Sequence, residues 1–408
     1  MDDVAIAGAG PAGALAAIIL ANAGLRVRLF DRARFPRHKL CGDTLNPGAL
    51  SVLQRHVDVS SLVGQSDPIE GMLLTGPGGV SVRAKYGRGL AGRAVTREVL
   101  DQWLVSRAIA AGASIEESVP VKDVLLADGR VAGVRLGRAA AVTHPARMVI
   151  AADGRRSTLA IGRGLSQQPV RPRRWAVGSY FTDVDGLTTL GEMHVRRGHY
   201  IGVAPVPGGL ANACLVVPHP PSRRPFRLRR GYGGQVGESG SRADLLLARP
   251  AEALDHYLKS DPELRERFAR ARSVAPPSVL GPMAVDAQAA GEPGLLLAGD
   301  AAGFIDPMTG DGLHFALAGA ELAAAVVLEV LTGRMPIDRA HLDLAAKRKR
   351  AFNAKWRFNR ALRLLVASPR GVSGAAVAAN MAPAIFEGII RYAGDCSRLP
   401  APGSRLPA

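Results

Sequence analysis

The sequence of 408 residues is poor in cysteine, in aromatic side chains and in acidic side chains. Its three cysteines, Cys41, Cys214 and Cys396, are too few and too scattered for a disulfide framework or a zinc site, so we expect a reducing compartment and no metal chemistry. Lys and Arg total 52 against 35 Asp and Glu, which gives a formal net charge of +17. This surplus either favours anionic cofactors, phosphates or membrane surfaces, or reflects solubility alone.

Long uncharged apolar runs are also lacking. The longest apolar stretch, residues 314–331, contains Glu321 and Glu329, which favours a buried helix over a membrane span. The first residues, Met-Asp-Asp, lead into an apolar run without a basic segment, which is not typical of a secretory signal. With 47% hydrophobic and 21% charged residues the chain can bury a large core, which excludes global disorder. We therefore expect a folded cytoplasmic protein.

A glycine-rich turn near the N-terminus is the strongest motif. A predicted apolar strand at residues 4–7 is followed by GAGPAG and by an alanine-rich helix. Gly8 permits the tight turn, Gly10 lets a pyrophosphate approach the backbone, and Gly13 allows the helix to pack closely on the strand. The N-terminus of the helix presents free N–H groups and the positive end of its dipole to phosphates. The pattern predicts a dinucleotide-binding site of the Rossmann type.

Acidic residues follow three of the predicted parallel strands. Asp31 ends the second strand, residues 26–30, where a carboxylate accepts hydrogen bonds from an adenosine ribose and disfavours a 2′-phosphate. Two later apolar strands, residues 147–152 and 294–298, end in Asp153-Gly154 and in Gly299-Asp300. Taken alone, either of these two later acids is better explained as a helix N-cap. Parallel sheets nevertheless bind ligands at this carboxyl edge, so the three acids together favour a cofactor site.

Together, GAGPAG and the two later segments resemble the flavoprotein monooxygenase and geranylgeranyl reductase superfamily, whose fold is similar to that of p-hydroxybenzoate hydroxylase. The resemblance implies bound FAD, with Asp153 and Gly154 near the pyrophosphate and Asp300 on the ribityl chain. It also implies that residues 307–312 lie beside the isoalloxazine, where the N-terminus of the next helix stabilises negative charge on a reduced flavin.

By the same resemblance, Arg97 forks onto phosphate oxygens, unless it is a solvated helix arginine, and Val121 offers backbone groups to the adenine. The FAD contacts that we expect are Gly8, Gly10, Ala12, Gly13, Asp31, Arg32, Lys39, Cys41, Arg97, Val121, Asp153, Gly154, Asp300, Pro307, Gly310 and Gly312.

The segment FPRHKLCG, residues 35–42, resembles the Lys-x-Cys-Gly segment of the geranylgeranyl reductase branch. In that branch the cysteine approaches the flavin ring, so Cys41 either tunes the flavin or is a buried inert thiol, and Lys39 meets an anionic cofactor or substrate group. That branch continues with further glycines, whereas Asp43 and Thr44 follow here.

Other segments do not all favour one branch. The DPMTGDG loop, residues 306–312, resembles the reductase branch, but the segment 198–205 lacks the Trp that the reductase and halogenase branches carry on a middle strand. Gly303 stands where many aromatic hydroxylases have a His. The signature is therefore mixed.

Three side chains on strands predicted above the flavin are candidate catalytic bases. His194, His199 and Tyr200 would each either deprotonate a phenol, and so activate its ring carbon, or serve only as structural residues. Tyr200 is favoured slightly because its ring can pack while its hydroxyl donates a hydrogen bond. His314, early in the helix that faces the flavin, is a similar candidate.

The pattern of elements predicts an α/β fold (α+β overall): a Rossmann-type FAD-binding domain with an inserted antiparallel β-sheet substrate domain and a C-terminal helical segment. The FAD-binding domain is predicted at residues 1–68, 90–165 and 278–335. The substrate domain is predicted at residues 69–89 and 166–277, with hairpins between 69–74 and 80–86 and, in the FAD-binding part, at Asp128-Gly129.

Two basic regions lie outside these motifs. The Arg- and Gly-rich residues 219–245 are predicted to form a mobile surface loop, and without aromatic stacking positions they do not indicate nucleic-acid binding. Residues 336–408 are predicted to form a C-terminal helical segment. In its first part, Lys and Arg alternate with Phe352, Trp356 and Phe358. This basic helix either packs its apolar stripe on the FAD-binding domain, the favoured alternative, or makes a peripheral membrane contact.

The function that we predict is that of an FAD-dependent oxidoreductase with NADPH or NADH as a transient reductant. The preferred reaction is hydroxylation of an aromatic or polyketide-type hydrophobic substrate, in which a dry pocket protects the reactive oxygen species. The first alternative is saturation of isoprenoid double bonds, as the Lys-x-Cys-Gly and DPMTGDG segments suggest. A flavin halogenase comes third, and a binding protein that retains FAD structurally is the non-enzymatic alternative.

Overall fold

The computed structural model describes residues 1–137, 139–169, 173–219 and 248–396. Its helices are α1 (Pro11–Asn22), α2 (Pro47–Gln54), α3 (Ser60–Val63), α4 (Arg97–Ala110), α5 (Thr158–Gly162), α6 (Pro250–Ser260), α7 (Gly312–Leu331), α8 (Ala340–Ala367), α9 (Pro369–Met381) and α10 (Pro383–Ala393). Short 3₁₀ turns occupy Gly299–Ala302 and Pro307–Thr309. The predicted mobile loop at 219–245 lies outside the described residues, except for His219 at the end of a strand.

The strands of the described ranges are β1 (Asp2–Ala7), β2 (Val27–Phe30), β3 (Thr44–Leu45), β4 (Asp67–Ile69), β5 (Gly71–Gly76), β6 (Val80–Lys85), β7 (Gly92–Ala94), β8 (Ser114–Glu116), β9 (Val121–Ala127), β10 (Arg130–Leu136), β11 (Val142–Ala151), β12 (Ser166–Gln167), β13 (Arg173–Thr182), β14 (Leu190–Arg196), β15 (His199–Val206), β16 (Leu210–His219), β17 (Arg272–Ser273), β18 (Ser278–Leu280), β19 (Asp286–Ala287), β20 (Gly291–Glu292) and β21 (Leu295–Leu297).

A mostly parallel sheet forms the base of the molecule. Its strand order is β20-β21-β11-β1-β2-β8, and the hairpin β9–β10 extends it from β11. Strand β11 pairs in parallel with both β1 and β21, and β1 pairs in parallel with β2. The side chains of Val4, Ala5, Ile6 and Ala7 are fully buried, as expected for a central parallel strand covered on both faces. The predicted α/β fold with a Rossmann-type unit is confirmed, and the acidic strand ends meet at one edge.

Two apolar helices cover this sheet. Helix α1 buries ten of its twelve residues and packs against α7, which also contacts α2. By length and composition α7 could cross a membrane, yet more than half of its apolar window is buried inside the protein. Its alanines let the neighbouring backbones approach closely. This arrangement agrees with the predicted buried helix at residues 314–331.

A second, largely antiparallel sheet lies across the cavity from the first. Its order is β17-β13-β16-β15-β14-β5-β6, with β18 also on β13, and the pair β14–β5 is parallel. The hairpin predicted at residues 69–86 is β5–β6 and joins this sheet. Helix α6 packs on one face, where Leu254 and Tyr257 meet Ile201 and Leu215. On the other face Tyr200 and Val216 meet Met283 and Met308, so that face is turned to the cavity.

The C-terminal segment is helical as far as Ala393, as predicted. Helix α8 packs along α7, while α9 and α10 pack against β5 and β6. Phe352 is buried, and both Phe352 and Trp356 pack into the core cluster that contains α1 and α7. The apolar stripe of α8 therefore packs inward through these two aromatic residues, and they do not face a membrane.

Candidate active site

A cavity of about 630 Å³ lies between the carboxyl edge of the parallel sheet and the antiparallel sheet. The structure brings fifteen of the sixteen predicted cofactor residues to its wall, all except Gly13. These residues come from strand ends and turns that are far apart in sequence. They meet because β1, β11 and β21 pair in parallel, which brings the carboxyl ends of these strands to one edge of the sheet.

The glycines of the first turn leave no room for side chains. Gly8 has a φ of +94°, and a Cβ on it would lie 2.5 Å from the carbonyl oxygen of Ala152. A Cβ on Gly13 would lie 1.9 Å from the carbonyl oxygen of Gly8, which explains why Gly13 lies at the helix–strand contact and not at the cavity. The turn thus exposes backbone N–H groups at the start of α1, as pyrophosphate binding requires.

Asp31 holds this turn as well as lining the cavity. Its Oδ2 accepts a hydrogen bond from the N–H of Ala9 at 2.8 Å, and its Oδ1 accepts one from Ala33 at 2.8 Å. Arg32 and Val121 line the cavity beside it. A carboxylate oxygen has a second lone pair, so Asp31 can still accept a ribose hydroxyl.

The two later acids differ in their surroundings. Oδ2 of Asp153 accepts from the N–H of Thr158 at 2.8 Å, whereas its buried Oδ1 has no hydrogen-bond partner among the described residues. Burial raises the pKa of Asp153. Asp300 lies 3.8 Å from Nε of Arg155. An orphaned buried acceptor on the cavity wall fits a bound group that donates a hydroxyl there.

Lysine and arginine side chains line the cavity, among them Arg37, Lys39, Arg97 and Arg155. Burial, together with the positive charges of Arg97, Arg155 and Arg37, lowers the pKa of Lys39 to about 8 against the opposing effect of Asp300. A nearby anion would reverse this shift, because an opposite charge favours the charged amine. This excess of positive charge fits the pyrophosphate of a dinucleotide.

The structure corrects the expected position of the Arg97 guanidinium. Both of its arms donate to the carboxylate of Asp101 at 2.8 Å, and Asp101 also lies 3.1 Å from Arg37. Burial alone would lower the pKa of Arg97, but the charge of Asp101 outweighs it and raises the pKa. The fork is therefore occupied by Asp101, and Arg97 contributes positive charge at the cavity wall.

Cys41 is held at the cavity by a polar network that sequence reasoning missed. Asn212 donates one hydrogen bond to the carbonyl oxygen of Cys41 at 2.9 Å and another to Oδ2 of Asp43 at 2.6 Å. The hydroxyl of Tyr180 donates to the same oxygen at 2.6 Å. Burial raises the pKa of Asp43 to about 6, while these donors and Arg97 oppose the rise.

One signal for Asp43 was present in the sequence. Its φ is 51°, in the left-handed region where the related branch has a glycine. An Asp that replaces glycine at such a position indicates a polar anchor, because Asp tolerates this conformation better than most residues. Burial also raises the pKa of the Cys41 thiol, so the thiol keeps its proton at neutral pH.

Tyr200 lines the cavity, but its hydroxyl is bonded to the protein. It donates to Oδ1 of Asp306 at 2.7 Å, and Arg174 donates to Oδ2 at 2.8 Å. Burial raises the pKa of Tyr200 well above its usual range. In contrast to our expectation of a base, Tyr200 anchors the loop that carries Pro307 and Gly310.

His194 and His199 do not reach the cavity, which corrects their assignment as bases. Successive residues of a strand point to opposite faces, so both histidines lie on the face opposite Tyr200. His194 is fully buried and bonded to Thr75 and to Glu192, each at 2.9 Å. The ring of His199 lies 4.6 Å from that of Tyr257 on α6.

His314 links the flavin-facing helix to the C-terminal segment. Its Nδ1 is bonded to Asp395, whose other oxygen accepts from Lys355 at 2.8 Å. Lys355 also lies 3.6 Å from Asp311, the residue directly before α7. Asn46 reaches Asp395 at 3.3 Å. His314 therefore belongs to a structural charge network behind the Pro307–Gly312 loop.

Taken together, the glycine turn, the cation-rich wall and the orphaned Asp153 oxygen define a dinucleotide-binding site. A model of the FAD binding domain family matches residues 1–227. The chain is 31% identical over 333 residues to digeranylgeranylglycerophospholipid reductase 1 of Methanopyrus kandleri, covering 81% of each chain. It is also 31% identical over 353 residues to menaquinone reductase of Mycolicibacterium smegmatis, covering 80% of this chain and 76% of the relative.

Two kinds of solved structure have the same fold. A geranylgeranyl bacteriochlorophyll reductase-like protein of Thermoplasma acidophilum matches with a TM-score of 0.72 at 21% identity, covering 99% of this chain and 93% of that one. A flavin-dependent brominase matches with a TM-score of 0.78 at 18% identity, covering 97% and 94%. The chain belongs to the FAD binding domain family and is an FAD-dependent oxidoreductase.

Proposed function

We propose that this protein is an FAD-dependent reductase that saturates carbon–carbon double bonds in an isoprenoid chain, with NADPH or NADH as the transient reductant. This proposal reverses the preference for hydroxylation that the sequence alone favoured. Two relatives at 31% identity carry reductase names, and one of these names specifies a digeranylgeranyl lipid. Hydroxylation and halogenation are the alternatives that the experiment below separates.

The observation that carries the proposal is the position of Cys41. It lines the same cavity as Pro307 and Gly310, and burial raises the pKa of its thiol. Once reduced by NADPH or NADH, bound FAD would supply a hydride equivalent, and saturation of a double bond requires one hydride and one proton. The Cys41 thiol carries a proton at the cavity and would supply it to the substrate carbon, and water would then reprotonate the resulting thiolate before the next turnover.

The cavity wall also suits an apolar chain. Met283 and Met308 form an apolar cluster with Ala176 and Val216 on the cavity side of the antiparallel sheet. Methionine side chains adapt to irregular apolar shapes, so this wall can accept a flexible prenyl group without ordered polar contacts. Phenol deprotonation finds less support, because His194 and His199 lie on the opposite face and the hydroxyl of Tyr200 donates to Asp306.

The test uses purified FAD-loaded enzyme with NADPH or NADH, geranylgeranyl lipid and isotopically labelled oxygen gas. We expect products heavier by two hydrogens per saturated bond, formed equally well without oxygen. A product that carries labelled oxygen would overturn the proposal in favour of a monooxygenase, and a product that incorporates added halide would favour a halogenase.

A matched pair of thiol variants tests the role of Cys41. We expect Cys41→Ala to lower turnover by about 10²-fold, the usual contribution of a positioned proton donor. Cys214→Ala, which removes the other thiol at the same cavity, should leave turnover within a few-fold. Equal losses in both variants would show that the cysteines only fill space.

A further inference from the structure

Exposed apolar side chains are concentrated in the C-terminal helices. Of the large apolar side chains that are exposed in the described ranges, five lie between residues 364 and 385: Leu364 (65% exposed), Leu365 (38%), Val377 (59%), Met381 (82%) and Ile385 (64%). Single exposed apolar residues are ordinary, whereas a group of them on adjoining helices indicates an interaction surface.

Three of these residues surround the bend between α9 and α10. Val377 and Met381 are four residues apart and so share one face of α9, and Ile385 follows in the first turn of α10. We call Val377, Met381 and Ile385 the apolar tip. The helices bend by 114° between Arg370–Ala379 and Ala384–Ala393, and together they are apolar enough to enter a membrane.

The inner sides of these helices are already occupied. Ala379 and Ile390 pack with Val80 and Val82 of the antiparallel sheet. The apolar tip therefore faces outward on helices whose other side is fixed to the protein. Such a pair can lie at a bilayer surface, whereas a span would expose the packed side.

The charge of this region is of one sign. Residues 344–386 contain no Asp or Glu and nine Lys or Arg residues, of which Lys347 and Lys355 form ion pairs with acids outside this range. Exposed members of this set include Lys349, Arg350, Arg357, Arg360 and Arg370. A surface that combines exposed apolar side chains with uncompensated positive charge complements an anionic lipid headgroup layer.

The same helices reach the candidate active site. Leu362 of α8 and Val372 of α9 belong to the apolar cluster that contains Tyr200 and Met308, which line the cavity. One layer of helix therefore separates the exposed basic and apolar surface from the cavity wall. A prenyl chain drawn from a bilayer at this surface has a short path to the cavity.

We propose that the apolar tip and the exposed basic residues of α8 and α9, namely Lys349, Arg350, Arg357, Arg360 and Arg370, dock the protein on an anionic lipid bilayer. The tip enters the boundary between headgroups and acyl chains, and the Lys and Arg side chains contact the phosphates. The inference deepens the proposed function, since it names a membrane as the source of the isoprenoid substrate, but docking itself does not depend on turnover.

The test measures binding of the FAD-loaded protein to vesicles of phosphatidylcholine with and without phosphatidylglycerol. We expect binding to the anionic vesicles that weakens as salt is raised. The double variant Met381→Glu/Ile385→Glu should lower the affinity at least about tenfold, because two apolar side chains then no longer insert. The control Ile109→Glu, an equally conspicuous exposed apolar residue on α4, should bind as the parent does.

A charge-reversal variant tests the contribution of the exposed basic residues to binding. Arg357→Glu/Arg360→Glu should remove the preference for phosphatidylglycerol. Absence of binding to anionic vesicles, or binding that survives the tip variant, would overturn the proposal. Self-association that the tip variant abolishes would instead identify a second copy of the chain as the occupant.

Turnover on a detergent-dispersed prenyl substrate separates the two proposals. The tip variant should reduce this substrate at the parent rate, because its substitutions lie outside the cavity. Vesicle binding without any reduction of prenyl substrates would overturn the proposed function and leave membrane docking standing.

Discussion

The two sheets that face each other across the cavity present their functional groups differently. The parallel sheet does so at strand ends, through backbone N–H groups at the Gly8 turn and through Asp153 and Asp300. The antiparallel sheet does so along its strands, where Tyr200 faces the cavity and its neighbour His199 faces α6. A residue predicted at a strand end still lies at the cavity when the predicted strand is shifted by one residue. Along a strand, the same error assigns each side chain to the wrong face of the sheet.

The largest effect that we expect tests the parallel sheet. Asp300→Ala should abolish FAD retention, because it removes the carboxylate beside Arg155 at the cavity wall. Flavin absorbance per mole of purified protein measures the loss. Asp67→Ala, at an exposed position on β4, should retain the parent content. An Asp300→Ala protein that purifies fully yellow would contradict the assignment of this strand end.

The next largest effect concerns the helices that cover the parallel sheet. Burial alone would raise the pKa of Glu321 on α7, but His56 and Arg55 outweigh it and lower the pKa to about 2. A depressed carboxyl pKa adds stability above its ordinary value near 4.5, and this contribution disappears as pH falls toward 2.

Glu321→Gln should therefore destabilise the protein by about 2 kcal/mol at pH 7 and much less near pH 2. Thermal unfolding of both proteins at several pH values measures the difference. A difference that does not change with pH would mean that packing, not charge, accounts for the effect of the substitution.

A smaller effect is expected on the cavity face of the antiparallel sheet. Tyr200→Phe removes the hydrogen bond to Asp306 and should cost about 1 kcal/mol of stability. Because Asp306 keeps Arg174 and the N–H of Met308, the loop should loosen without being lost. We expect a reduced kcat with little change in KM for NADPH. An unchanged kcat would show that the anchor has no influence on the reaction.

The smallest effect is expected on the opposite face. His199→Gln replaces a side chain that packs on Tyr257, outside the cavity, so turnover and its pH profile should match those of the parent. Steady-state rates between pH 5 and pH 9 measure this. Loss of an ionisation from the pH profile would restore His199 as a catalytic base and contradict the face assignment.

Motifs at strand ends could be predicted from the sequence because each is local. Gly8, Asp153 and Asp300 follow short apolar strands, and the parallel fold brings any such ends to one edge. The network of Asp43, Asn212 and Tyr180 could not be predicted, because its members meet only after long-range pairing of β13 with β16. The same holds for the ion pair between Arg174 and Asp306.

Charge partners within one helix were also missed. Arg97 and Asp101 are four residues apart on α4, a spacing that favours an ion pair, and the fork of Arg97 is occupied by this neighbour. The resemblance to a family implied a phosphate partner for Arg97, whereas its spacing from Asp101 would have indicated the partner that the structure shows. Oppositely charged residues four apart on a helix therefore indicate an ion pair even where a family motif implies another partner.

The network around Asp395 determines when, during synthesis, the loop before α7 gains its supporting contacts. Asn46, His314 and Lys355 all meet this carboxylate, and Lys355 in turn lies beside Asp311 at the start of α7. A nascent chain can form its parallel sheet early, but the loop before α7 lacks its full support until residue 395 has left the ribosome. Uptake of the flavin in its final geometry therefore has to wait until residue 395 has been made.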